Sequence, residues 1–187
     1  MYKKRHLVPF GEYMPMREVF MFFLPFLGEI SILDREMTPG DSPAVYSADG
    51  IGKIGSVICF DSIFEEVSLD AVREGAELIV LGTNDSWFKD SLGIYMHRNQ
   101  ARLRSIEVGR CTVRAACTGV SSIINNVGEN FDEVAVFEKD FALGEVYVTD
   151  TDTLYTVIGN LFVYMSAIVV LALFSIEYYK HIKKSRS

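Results

Sequence analysis

Cysteine is scarce in this 187-residue chain and poorly spaced for structural work. Cys59, Cys111 and Cys117 form an odd set with no C-x-x-C pair, which supports neither a disulfide framework nor a zinc site. The three histidines, His6, His97 and His181, stand too far apart for a ligand pair at helical spacing. No metal and no cofactor is expected. Glycine-rich phosphate loops and internal repeats are also missing. Positive charge is in deficit: the net charge is −7, which speaks against a nucleic-acid partner, because phosphate recognition needs a basic face. The deficit is uneven. Residues 177–187 carry +3, through Lys180, Lys183, Lys184 and Arg186 against Glu177, and leave −10 on the remainder.

Apolar residues, by contrast, make up 49% of the chain. The mean hydropathy of +0.19 is high for a wholly soluble domain and points to a membrane contribution. Two stretches carry it. Val19 to Leu33 is apolar and aromatic but broken by Pro25 and Gly28, too short to span a bilayer; it reads as a core segment or as a loop dipping into the lipid interface. Leu154 to Ile176 runs for 23 residues without a charge. That is long enough for a hydrocarbon core of about 30 Å. Tyr155, Tyr164, Tyr178 and Tyr179 supply interface anchors, and the basic tail beyond them predicts a cytoplasmic carboxyl terminus. The domain before the span is then expected on the outer side of that membrane.

The rest reads as one α/β domain. Gly50 to Phe60 is a buried strand that stops at Cys59 and turns into a helix near Ser62, the way an α/β fold presents a nucleophile at a strand end. A free cysteine finishing a core strand is the competing reading. A helix follows to Glu74, closed by Gly75, and then a second apolar strand over Glu77–Thr83. Asn84-Asp85-Ser86-Trp87-Phe88 lies at its carboxyl end, where open α/β sheets place their sites; a core plug is the alternative for Trp87. Met96–Arg110 reads as a helix and Cys111–Asn125 as strand, with a turn at Thr118-Gly119. Val134–Phe137 and Glu145–Thr149 read as paired edge strands. The order predicts a layered α/β sandwich.

Three phrases now coincide: Tyr2-x-Lys4-x-x-Leu7-Val8-Pro9-Phe10-Gly11-Glu12, Ile58-Cys59-Phe60-Asp61, and Asn84-Asp85-Ser86-Trp87-Phe88. Together they resemble the carbon–nitrogen hydrolase (nitrilase) superfamily, and within it the membrane-bound acyltransferase branch. The segment from His97 to Glu107 and the single carboxyl-terminal span are similar too, so the resemblance covers nearly the whole chain. It implies part of a nitrilase-like α-β-β-α sandwich over residues 1–153, a transmembrane helix over 154–176 and a basic cytoplasmic tail over 177–187. It also implies a Glu–Lys–Cys triad with Cys59 as nucleophile, Lys4 as the triad lysine and Glu12 as a supporting glutamate. Phe60, Asp61, Asn84 and Trp87 would bind substrate.

The implied reaction moves a fatty acyl chain from a membrane phospholipid, through a Cys59 thioester, to the α-amino group of the diacylglyceryl-cysteine that begins an apolipoprotein. A thiolate splits such a transfer into two easier steps. A free thiol is only a few per cent ionised at pH 7, so it needs a base and a nearby cation, and Lys4 would be that cation. The implied place is the bacterial inner membrane, with the catalytic domain periplasmic. The family's triad glutamate and several membrane helices precede the lysine motif, so the chain is expected to be a carboxyl-terminal portion with little or no activity alone. Phe60-Asp61 departs from the Tyr-Glu usual in the membrane branch. A membrane-tethered amidase and an inactive remnant are the alternatives.

Overall fold

The computed structural model describes residues 2–23 and 37–185. Of the apolar stretch from Val19 to Leu33, its first residues belong to a short helix α1 (Arg17–Phe23); residues 24–36 lie outside the described part. The centre of the fold is a six-stranded sheet: β1 (Val45–Ala48), β2 (Gly52–Ile58), β3 (Leu78–Asn84), β4 (Thr112–Cys117), β5 (Ser121–Ile124) and β6 (Asn130–Val134), in that spatial order. β2, β3 and β4 run parallel; β1, β5 and β6 are added antiparallel at the two sides. The parallel pairs need crossovers, which α2 (Glu65–Arg73) and α3 (Leu92–Val108) provide.

Alternation along the strands decides which face is buried. Val57 of β2, Ile79 and Leu81 of β3 and Ile124 of β5 meet Val67, Ala71 and Val72 of α2 and Ala101 and Val108 of α3 in one core. Gly55 is where α2 comes closest, since a Cβ there would stand 2.9 Å from Ala76 Cβ and 3.0 Å from Ala71 Cβ. The opposite face exposes Ile58, Val80, Gly82, Ala115 and Cys117 and carries no second layer among the described residues. One helical layer on one sheet is half of the expected four-layer sandwich.

Three element expectations are corrected. α3 starts at Leu92 rather than Met96, because the Ser91 hydroxyl caps it by accepting from the Gly93 nitrogen at 3.3 Å. The last strand is β6 at Asn130–Val134, not Val134–Phe137. The Asn125 side chain closes the preceding turn by accepting from the nitrogens of Val127 (3.0 Å) and Glu129 (2.8 Å), so the chain returns to the sheet at once. Glu145–Thr149 forms no strand; Thr149 makes one backbone bond, to Glu77, and no ladder follows.

The apolar run from Leu154 is divided as well. α4 (Leu154–Ile158) ends at Gly159, whose φ of 53° and ψ of −134° interrupt the helix, and α5 (Leu161–Ser185) follows. α4 is tied to the domain: Arg73 donates twice to the Thr156 carbonyl, at 3.2 and 3.1 Å, and Asn160 donates to Glu65 at 2.7 Å. Among the described residues, the helix long and apolar enough to cross a bilayer is therefore Leu161–Lys184, whose most apolar 18-residue window has a mean hydropathy of 2.0 and is not buried against the rest of the fold.

Candidate active site

Adjacent parallel strand ends create the site. β2 ends at Ile58, paired with Gly82 of β3, and Cys59 opens a single 3-10 turn (Cys59–Ile63). Cys59 has φ +51°, a left-handed conformation costly for a residue with a Cβ. Its half-buried Sγ lies 4.0 Å from the carbonyl oxygen of Asn84, at the end of β3. A strained turn between strand and helix lifts a thiol out of the sheet while its backbone stays anchored.

Lys4 comes to this turn from the amino-terminal segment. It is buried, and its Nζ donates to both carboxylate oxygens of Glu12 at 2.8 and 2.7 Å. Glu12 also accepts from the Val8 nitrogen at 2.8 Å, so the Val8–Glu12 loop folds back and fixes the ammonium group. The ammonium stands 5.9 Å from the centroid of the Phe60 ring, next in sequence to Cys59. Phe60 is half-buried and lies edge-on to Phe64 at 5.4 Å. It also borders a mostly apolar groove of about 650 Å³, lined by Leu7, Pro9, Tyr13 and Met37 together with Arg5 and His6. Asn84 is exposed, with its side-chain oxygen accepting from Ser86. Trp87 is no core plug: it is 65% exposed and its ring reaches towards Gly11 of the lysine loop.

Asp61 departs from the substrate-binding role that the resemblance implies: it is fully buried, and its oxygens are taken by the Tyr2 hydroxyl (2.7 Å), the Arg5 nitrogen (3.1 Å) and the His6 nitrogen (2.7 Å). Its work is to dock the amino-terminal segment on the nucleophile turn.

Beneath the turn lies a buried polar network that sequence reasoning did not assemble. Asp85 Oδ1 is 2.8 Å from His97 Nδ1, and Asp85 Oδ2 accepts from Arg114 at 2.7 Å. Arg114 also donates to the Val120 carbonyl. The other ring nitrogen, His97 Nε2, faces Ser62 Oγ at 3.0 Å and the Cys59 carbonyl at 3.1 Å. Burial pushes the Asp85 carboxyl upward, but the hydrogen bonds from His97 and Arg114 outweigh it and hold the group below the ordinary carboxylate range. Asp85 and His97 each lie in a segment that carries the family resemblance, but a separation of 12 residues gives no sign in the sequence that they touch. Among the described residues, no group of His, Cys, Asp and Glu is arranged to hold a metal ion.

Residues 1–154 match the carbon-nitrogen hydrolase family. The chain belongs to that family. Proteins named apolipoprotein N-acyltransferase from Methylococcus capsulatus and Geobacter metallireducens are 39% and 37% identical to it. Each alignment covers 85% of this chain, and 31% and 30% of those proteins respectively. One from Haemophilus ducreyi is 31% identical over 97% of this chain and 35% of its own length. The chain thus spans about a third of these relatives. Among solved structures, an amidase from Nesterenkonia sp. AN1 aligns with a TM-score of 0.55 at 20% identity, over 88% of this chain and 56% of that one. The match establishes a shared carbon–nitrogen hydrolase fold.

Proposed function

We propose that this carbon–nitrogen hydrolase chain carries the nucleophile and the lysine of an apolipoprotein N-acyltransferase. The observation that carries the reading is the Lys4 ammonium, buried and clamped by Glu12 beside the strained Cys59 turn. The naming of the relatives supports the substrate class. The Cys59 thiolate attacks the acyl-ester carbonyl of a phospholipid, the tetrahedral oxyanion is stabilised by Lys4, and the carbon–oxygen bond to glycerol breaks. The departing alkoxide takes the proton that the base had removed from the Cys59 thiol. The acceptor's neutral α-amino group then attacks the thioester and gives one proton to the same base; a carbon–nitrogen bond forms, the carbon–sulfur bond breaks, and the leaving thiolate recovers that proton.

Glu12 is not the proton acceptor for Cys59, because both of its oxygens are engaged by Lys4 and one also by Val8. The resemblance assigns that duty to a glutamate ahead of the lysine motif. The apolar groove beside Phe60 is suited to an acyl chain. α5 crosses the inner membrane with the basic tail in the cytoplasm, and the α/β domain works at the periplasmic face, where lipid and lipoprotein are both at hand.

The test is mass spectrometry of the whole gene product after incubation with vesicles of phospholipid bearing labelled acyl chains. A hydroxylamine-sensitive acyl adduct on Cys59 is expected, discharged by adding a diacylglyceryl-cysteine peptide and absent in Cys59→Ala. Release of ammonia from a small amide without any lipid adduct would instead establish an amidase.

A further inference from the structure

We infer that the Asn160–Glu65 bond holds the Cys59 end of the domain against the bilayer surface, which makes Asn160 a positioning residue for acyl transfer from membrane lipid. The inference rests on the reading of the chain as a membrane acyltransferase whose α5 spans the bilayer.

The path of α4 is the first argument. Ahead of it, the Thr153 hydroxyl donates to the Glu107 carbonyl near the end of α3, at the side where the parallel strands begin. Arg73, the last residue of α2, donates to the Thr156 carbonyl. Asn160 then reaches Glu65, the first residue of α2. These two points on α2 are eight positions apart. At 1.5 Å per residue that is a climb of about 12 Å. α4 thus delivers α5 to the end of the sheet where β2 finishes and Cys59 turns. α5 is not buried against the domain, so it continues away from that end, and the bilayer it enters faces the Cys59 turn.

The second argument is how firmly the joint is made. The Asn160 amide donates to Glu65 at 2.7 Å, and its side-chain oxygen accepts from the Tyr155 hydroxyl at 3.0 Å. Its carbonyl accepts the first bonds of α5, from the nitrogens of Val163 (3.0 Å) and Tyr164 (3.2 Å). One residue therefore belongs to the membrane helix and to the domain at once. The hydrogen bond from Asn160 is the chief influence holding the Glu65 carboxyl below the ordinary carboxylate range, so the contact is made to a charged group. From Glu65 the chain leads straight back through Phe64, whose nitrogen donates to the Asp61 carbonyl at 3.1 Å, into the Cys59 turn.

The exposed side chains supply the third. Phe10 of the lysine loop, Trp87 beyond β3, and Leu92 and Met96 one turn apart on α3 are all exposed at the Cys59 end. Large apolar and aromatic groups of this kind suit the boundary between headgroups and acyl chains. The opposite end of the sheet exposes the charges of Asp49, Lys53 and Glu74 around Ile51.

The experiment uses the full 187-residue chain in phosphatidylcholine vesicles, with or without bromine on the acyl chains close to the glycerol. Trp87 is the sole tryptophan, so its emission reports on the Cys59 end alone. Brominated lipid is expected to quench it in the wild type and in Glu65→Gln, whose amide oxygen still accepts from Asn160. Asn160→Ala is expected to lose most of that quenching. A Gly-Ser-Gly-Ser insertion between Asn160 and Leu161, which leaves the contacts of the domain in place, should lose it too and decides the matter if Asn160→Ala does not fold. A merely structural role would lower the melting temperature and leave the quenching as it was. Full quenching in folded Asn160→Ala or in the insertion variant overturns the inference alone, as does an unquenched wild type that floats with the vesicles. A wild type that does not float overturns the membrane reading and this inference with it. In the whole gene product, Asn160→Ala is expected to slow acyl-adduct formation on Cys59 from vesicle phospholipid about tenfold, and to leave iodoacetamide labelling of Cys59, which needs no bilayer, unchanged. An unslowed adduct, or equal slowing of both, overturns the positioning role. No adduct in the wild type overturns the acyltransferase reading and the role of Asn160 in transfer with it.

Discussion

Asp61 Oδ1 lies 2.7 Å from the main-chain nitrogen of His6. Asp61 stands two residues after Cys59 and His6 two after Lys4, so this bond joins segments 55 residues apart and keeps thiol and ammonium group in register. The lysine loop belongs to no strand of the sheet: Asp61 docks its base, Arg5 pairs with Asp70 and His6 packs on Phe64 beside it, and Glu12 closes it above.

Asp61→Ala should expose that dependence. The substitution takes the acceptor away from the partly buried Arg5 and His6 nitrogens, and each such loss costs up to about 1–3 kcal/mol. A loss of about 2–4 kcal/mol is expected from the urea midpoint at constant m-value. A midpoint within about 0.5 kcal/mol of the wild type would show that the loop is held by something other than Asp61.

The Tyr2 phenol is pushed well above the usual tyrosine range, first by burial and then by its hydrogen bond to the Asp61 carboxylate. The folded chain thus keeps a proton that the unfolded chain releases above about pH 10. Stability from this group is complete below that pH and declines as pH rises beyond it. Tyr2→Phe should lower stability at pH 8 and flatten the decline between pH 9.5 and 11. Parallel curves for the two proteins would remove Tyr2 as the cause.

Gly119 packs against the network under the nucleophile turn. A Cβ there would stand 2.1 Å from Asp85 Oδ2 and 2.7 Å from Asp85 Cγ, and Asp85 is fully buried with no room to retreat. Gly119→Ala should cost about 1–3 kcal/mol, the usual penalty for overpacking, and should slow Cys59 labelling by displacing His97. Gly82→Ala is the matched control, because a Cβ at Gly82 meets nothing within 4 Å. Equal behaviour of the two variants in thermal melts and labelling would contradict the close approach.

Much of this was legible in the sequence, for identifiable reasons. The β2–Cys59 turn is visible because a β-branched run and a polar turn are local signals, whereas Lys4 and Glu12 are picked out only through the family resemblance that names both. The role of Asp61 was not visible. A carboxylate beside a nucleophile reads as a substrate contact until three buried donors are found on it. The Asp85–His97–Arg114 network was hidden for the same reason, since its members come from three elements that only the sheet brings together. The edge strand was misplaced because residues 145–149 have a strand's alternation but only one backbone partner. The break at Gly159 was missed because hydropathy does not record a glycine with positive φ.

The last prediction concerns where the domain sits. α5 runs 24 residues from Leu161 to Lys184, the first 16 of them uncharged and the charged ones confined to 177–184. At 1.5 Å per residue the 24 reach about 36 Å, enough for a core of about 30 Å with the charged residues towards its far edge. The Asn160–Glu65 bond pins the start of this helix to α2, so on the proposed membrane reading the α/β domain rests against one membrane face instead of swinging on a linker. In the proposed orientation, Lys180, Lys183 and Lys184 keep the far end in the cytoplasm and the domain lies outside. Single cysteines placed at the exposed positions Lys139 and His181 test this in cells with a permeabilised outer membrane. A maleimide unable to cross the inner membrane should label Lys139→Cys at once and His181→Cys only after detergent. The reverse pattern would place the Cys59 turn in the cytoplasm, away from any lipoprotein substrate, and the acyltransferase reading would fall with it.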